Sequence, residues 1–165
     1  EQDGSAMGRI NAWWTAFNVA NNRVFGGGYE MWHGWTFAMY APNPDDVHDA
    51  HSIYFKVLGE HGWVGLGLFL LLLALTWLKC GRIIRLAARR PEAQWARDLA
   101  AMIQVSLVAY MSAGAFLGLS YFDYLYHLVA MVVVTHSLIA AYEPETSASA
   151  APVERLSLLT ALRQA

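Results

Sequence analysis

Three stretches of the chain are apolar and carry no acidic or basic residue: "GWVGLGLFLLLLALTWL" from Gly62, "LAAMIQVSLVAYMSAGAFLGLSYF" from Leu99 and "YLYHLVAMVVVTHSLIAAY" from Tyr124. A helix rises about 1.5 Å per residue, so the second and third lengths suit a hydrocarbon core of about 30 Å, and flanking residues extend the first. The pattern predicts transmembrane helices over about 62–79, 98–119 and 123–142. Ahead of them, Ser5 or Asp3 can cap a helix through "SAMGRINAWWTAFNVANN", with Ile10, Trp13, Trp14 and Phe17 as its apolar stripe. "FGGGYE" breaks that helix, since consecutive glycines allow positive φ and close backbone approach. "MWHGWTFAMY" is too aromatic to float free and is expected at the interface or against the spans. "PNPDD" reads as the next helix start, with Asn43 as N-cap, Pro44 in the first turn, and Asp45 and Asp46 at the positive end of the dipole. That helix would carry "VHDAHSIYFKVLGEHGWVG" into the first span. Beyond Pro144 the sequence is polar and rich in small residues. Residues 143–165 read as a disordered cytoplasmic tail with a short amphipathic helix over 155–164.

Charge orients this arrangement. Residues 1–62 hold seven acids against Arg9, Arg23 and Lys56, whereas Lys79, Arg82, Arg85, Arg89, Arg90 and Arg97 crowd the segment between the first two spans. Short basic loops stay cytoplasmic. Residues 79–98 are therefore expected inside, and residues 1–61 and the turn near 120–123 outside. Trp63, Tyr121, Tyr124 and Tyr126 would then lie at the outer interface and Trp77 and Trp95 at the inner one. Composition agrees: the chain is 56% hydrophobic and 15% charged, with a mean hydropathy of +0.30. No basic, aromatic-laced surface points to nucleic acid. Cys80 is alone, which excludes an internal disulfide and a cysteine metal cluster. An outer segment ahead of the first span implies earlier spans, so the chain reads as the C-terminal piece of a larger protein.

Candidate chemistry concentrates in the outer segment. His48 and His51 can share a helix face, with Asp49 and His33 nearby in sequence, but no closed metal-ligand set can be written. His51 at the membrane boundary is either a proton acceptor, since imidazole titrates near neutrality, or an interfacial hydrogen-bonding group. On one straight helix it would face away from Glu60. Arg9, beside tryptophans, can fork onto a phosphate or snorkel at the surface. Glu60 is an interfacial acceptor or a substrate contact. His127 and His136 lie within the third span, on opposite faces.

The strings "GRINAWWTAF", "FGGGY" and "AHSIYFKVLGEHGWVGLGLFLLL" together resemble the O-antigen ligase and polymerase superfamily. The matching residues are Arg9, Trp13 or Trp14, Gly26 to Gly28, His51, Ser52, Tyr54, Glu60 and Gly62. The wording is most similar to the O-glycosylation ligases associated with exosortase A systems. The resemblance implies an all-α polytopic glycosyltransferase of the bacterial inner membrane, with a helical periplasmic loop over residues 1–61. It would move a glycan from an undecaprenyl-diphosphate carrier to a hydroxyl of a lipid, protein or polysaccharide acceptor. In that scheme His51 is the catalytic base, Arg9 binds the diphosphate, and Glu60 and Tyr54 contact substrate, with no cofactor and no metal. A second phosphate-binding arginine is expected in the preceding spans, so this piece alone would be inactive. Polymerisation by the same chemistry is the nearest alternative. A haem-handling membrane protein or a transporter segment using His127 are more distant ones.

Overall fold

The computed structural model describes residues 4–141; the tail beyond Pro144, its amphipathic helix and Asp3 lie outside the described residues. The order is helix α1 (Gly4–Asn22), helix α2 (Gly34–Tyr40), helix α3 (Ile53–Ala87), a 3-10 turn (Pro91–Ala93) and helix α4 (Gln94–Gly114). Helix α5 (Tyr124–Ala141) follows. No strand occurs among the described residues.

The long helices pack through narrow seams at alternating spacings of three and four. They are Leu73, Thr76, Cys80, Ile83 and Ala87 on α3; Ala96, Ala100, Ile103, Leu107 and Tyr110 on α4; and Leu125, Leu128, Val132, Thr135 and Ile139 on α5. This spacing keeps one stripe of each helix facing its neighbours, and the small residues at Cys80, Ala87, Ala96 and Ala100 let the backbones approach. Cys80 is thus a buried seam residue.

Outside the seams many large apolar side chains are exposed, including Leu68, Leu71, Leu75 and Leu78 on α3 and Leu138 on α5. Helices α3 and α5 are long and apolar enough to cross a membrane, yet their most apolar windows are only 17% and 28% buried within the protein. Outward-facing apolar surface on that scale suits lipid and not water. Helix α4 is long enough too, but it begins with Arg97 and Asp98 and contains Gln104, so its composition falls short of that of the other two.

Two features of the segment ahead of α3 depend on how it packs. Helix α1 buries its small face, Gly8, Asn11, Ala12, Thr15, Ala16, Val19 and Ala20. The stripe Ile10, Trp14 and Phe17 is exposed. Small side chains let α1 lie close against the chain that follows; Trp13 stacks on Phe55 at 4.8 Å, and Phe17 meets Trp63 edge-on. Second, residues 41–52 form no helix. "PNPDD" makes a tight turn closed by the Asp46 amide on the Asn43 carbonyl, a reading that Asn-Pro-Asp supports as well as it supports a helix cap. The turn prevails because Asn11 on α1 takes its backbone groups. Asn11 Nδ2 donates to the carbonyls of Asn43 (2.8 Å) and Asp46 (2.9 Å), and its Oδ1 accepts from the Asn43 amide (2.9 Å).

Candidate active site

Helix α3 begins only at Ile53, after an N-cap Ser52 in extended conformation. His51 therefore lies ahead of the helix. Its φ of 44° puts it in the left-handed region, the only non-glycine there among the described residues, and its side chain is exposed. The geometric separation of His51 and Glu60 expected on one straight helix does not apply, because His51 is not on it. The segment leading to it is tied to α1. Trp13 Nε1 donates to the Ala50 carbonyl at 2.8 Å, and Gly8 lies so close to the His48 ring that a Cβ there would come within 2.8 Å of Nδ1. Helix α1 between Gly8 and Trp13 thus runs along residues 48–50.

That alignment places Arg9 on the helix that runs along the residues just before His51. Arg9 precedes Trp13 by one helical turn on one face. It is half-buried, and among the described residues its guanidinium has neither an ion pair nor a hydrogen bond. Two polar contacts lie nearby: His48 Nδ1 with Asp46 at 2.8 Å and Lys56 Nζ with Asp49 at 3.1 Å. Asp46, expected to complement a helix dipole, instead forms one of these local pairs. Ser52, next to His51, is buried, and its hydroxyl has no hydrogen-bond partner among the described residues. Among the described residues no three His, Cys, Asp or Glu side chains converge as metal ligands.

Glu60 and Tyr54 lie elsewhere. The Tyr54 hydroxyl donates to the Met111 carbonyl at 3.1 Å, tying the start of α3 to the end of α4. Glu60 is 2% exposed. Its Oε1 accepts from Trp32 Nε1 at 2.8 Å and its Oε2 from the Tyr121 hydroxyl. With the single Tyr121 proton directed at Glu60, His61 Nε2, 3.1 Å from the Tyr121 oxygen, is the donor of that pair. Tyr29 packs edge-on against His61 and beside Tyr121. Desolvation first, and the bond to Glu60 second, push the Tyr121 hydroxyl far above the usual phenol range. It therefore remains a proton donor at every physiological pH. Sequence reasoning placed Tyr121 only in an aromatic belt; nothing local in its neighbourhood announces a partner 61 positions away.

The backbone beneath Glu60 explains the glycines. Gly62 adopts φ 67° and ψ −165°, which kinks α3. The kink releases the carbonyls of Gly59 and Glu60 from helical pairing, and the amides of Gly27 and Gly28 take them at 2.8 and 2.9 Å. A Cβ on Gly26 would lie 2.5 Å from the Glu60 carbonyl carbon. "FGGGY" and "GEHG" are two halves of one backbone clasp. Tyr121→Phe should lower thermal stability by about 1–3 kcal/mol, because it leaves a buried carboxylate oxygen without its donor. In a Glu60→Gln background the same change should cost clearly less, as read from thermal unfolding of the purified protein; equal costs would uncouple the pair.

Helix, turn and clasp together make up the region that compares with known proteins. Residues 1–70 match the family model described as O-antigen ligase (Wzy_C). The match supports the O-antigen ligase superfamily, and with it a glycosyl-transfer enzyme of the ligase and polymerase kind, acting on lipid-linked glycans in a membrane context. It ends within α3, so α4 and α5 lie outside it. No curated protein and no solved structure matches the chain.

Proposed function

We propose that the protein transfers a glycan from an undecaprenyl-diphosphate carrier to an acceptor hydroxyl at the periplasmic face of a bacterial inner membrane, in the manner of an O-antigen ligase. The observation that carries this reading is that α1, whose Arg9 has no ion pair among the described residues, is clamped along residues 48–50, directly before the exposed His51. In the proposed step His51 takes the proton of the acceptor hydroxyl, and the acceptor oxygen forms the new bond to the anomeric carbon. The bond from that carbon to the diphosphate oxygen breaks, and the electron pair leaves with the lipid diphosphate. Arg9 offsets the negative charge that develops on it. The exposed apolar faces of α3 and α5 keep the lipid tail in the bilayer while the diphosphate reaches the boundary. Tyr54 and Glu60 act in this reading as positioning residues: one ties the start of α3 to the end of α4, and the other joins α3 to Trp32 and Tyr121. The exosortase-associated class is the resemblance most specific to this wording, with a lipid, protein or polysaccharide hydroxyl as acceptor.

Arg9 supplies the test. Transfer from a lipid-diphosphate glycan is measured in membranes carrying the full-length protein. Arg9→Gln should cut it by about ten- to a hundredfold, the weight of one charge-assisted forked contact, and Arg9→Lys should restore only part. Wild-type transfer by Arg9→Gln would remove Arg9 from the diphosphate site.

A further inference from the structure

The turn between α3 and α4, at the opposite end of the helices from His51, holds two adjoining cavities. One, of about 400 Å³, is lined by Arg89, Arg90, Arg97 and Gln94 around Pro91. The other, of about 240 Å³, lies between the turn and α5 and is lined by Trp95, Leu138 and Ile139. Arg90 and the acidic Glu92 line its edge, and Arg90 borders both cavities. Arg89 and Arg97 are exposed and form no ion pair among the described residues. Arg89 and Arg97 thus leave positive charge beside this cavity, and an anion there accepts forked hydrogen bonds from them. Exposed Trp77, Leu78, Trp95 and Leu138 mark this end as a boundary between apolar and polar surroundings.

We infer that this turn binds an anionic glycerophospholipid. The phosphodiester lies among Arg89, Arg90 and Arg97, and the glycerol and first methylenes lie against Trp95, Leu138 and Ile139. The inference does not rest on the glycosyl-transfer reading. Basic loops also accumulate simply to orient spans, but that effect counts charges and treats lysine and arginine alike. An arginine cavity opening into an apolar one adds a shape that orientation does not require.

Trp95 reports on the site. The whole protein is reconstituted in nanodiscs of phosphatidylcholine containing increasing amounts of dibrominated phosphatidylglycerol, and the Trp95 signal is taken as the difference from Trp95→Phe. Quenching should saturate at a lower mole fraction than with dibrominated phosphatidylcholine. Changing Arg89, Arg90 and Arg97 together to Gln should raise the midpoint at least about tenfold, and changing them to Lys about threefold. Lys79, Arg82 and Arg85 remain in both variants to hold orientation. Inorganic phosphate at millimolar concentration should leave the lipid midpoint unchanged. Equal quenching by the two lipids, a wild-type midpoint in the Gln variant, or displacement by free phosphate overturns the inference. Should the Gln variant fail to insert, a wild-type midpoint in the Lys variant does the same.

Discussion

His51→Ala should reduce glycan transfer by about a hundred- to ten-thousandfold, the usual weight of a positioned general base, while insertion and protein level stay as in the wild type. The neighbouring His48→Ala should keep most of the activity, because the His48 imidazole is already engaged by Asp46 at 2.8 Å. The backbone adds a second signature. His51 holds a φ of 44°, a conformation that costs a non-glycine residue about 1 kcal/mol or more. Glycine accepts it freely but loses about 0.5–1 kcal/mol of unfolded-chain entropy. His51→Gly should therefore leave thermal stability unchanged or slightly raised while abolishing transfer. Activity and stability moving apart in this way would mean that the histidine is kept for its chemistry. Transfer retained by His51→Ala would falsify the base assignment.

The second large effect is structural. Gly62→Ala should destabilise the protein by about 3 kcal/mol or more and abolish transfer with it. Two costs combine at this position. The pair φ 67°, ψ −165° is accessible almost only to glycine. A Cβ would also overlap the Val24 carbonyl and come within 2.7 Å of the Gly26 amide nitrogen. Neither neighbour can move without opening the bonds from Gly27 and Gly28 to the carbonyls of Gly59 and Glu60. Gly67→Ala in the same helix meets nothing within 4 Å and should be silent, which separates a loss of the clasp from a general intolerance of the span. Gly26→Ala should behave like Gly62→Ala, and the double variant should cost less than the sum, since both open one junction. Thermal unfolding in detergent measures all four; additive costs would mean that the two glycines act separately.

Much of the helical plan was legible from local pattern. The extent of α1, the break at the glycines and the apolar runs that become α3 and α5 follow from periodicity and charge, because helix formation depends on neighbours three and four positions away. The start of α3 was misplaced for a definite reason. "PNPDD" is equally a turn and a helix start, and the choice belongs to Asn11, more than thirty positions earlier, whose side chain holds both Asn43 and Asp46. The apolar stripe of α1 did not show which face packs, because close approach favours alanine, glycine and threonine.

The sequence by itself determined the helical class, the apolar lengths suited to a bilayer, the separation of acidic and basic halves, and the string of residues that resembles the O-antigen ligases. Only the tertiary structure decided where those residues lie. It lifts His51 off the helix into a left-handed turn, lines its segment up with Arg9, and withdraws Glu60 behind Trp32 and Tyr121. The physical reason is range. Helix propensity and amphipathic period are set within a few residues, whereas these placements depend on partners 28 to 61 positions apart and on backbone carbonyls freed by a kink that one glycine permits.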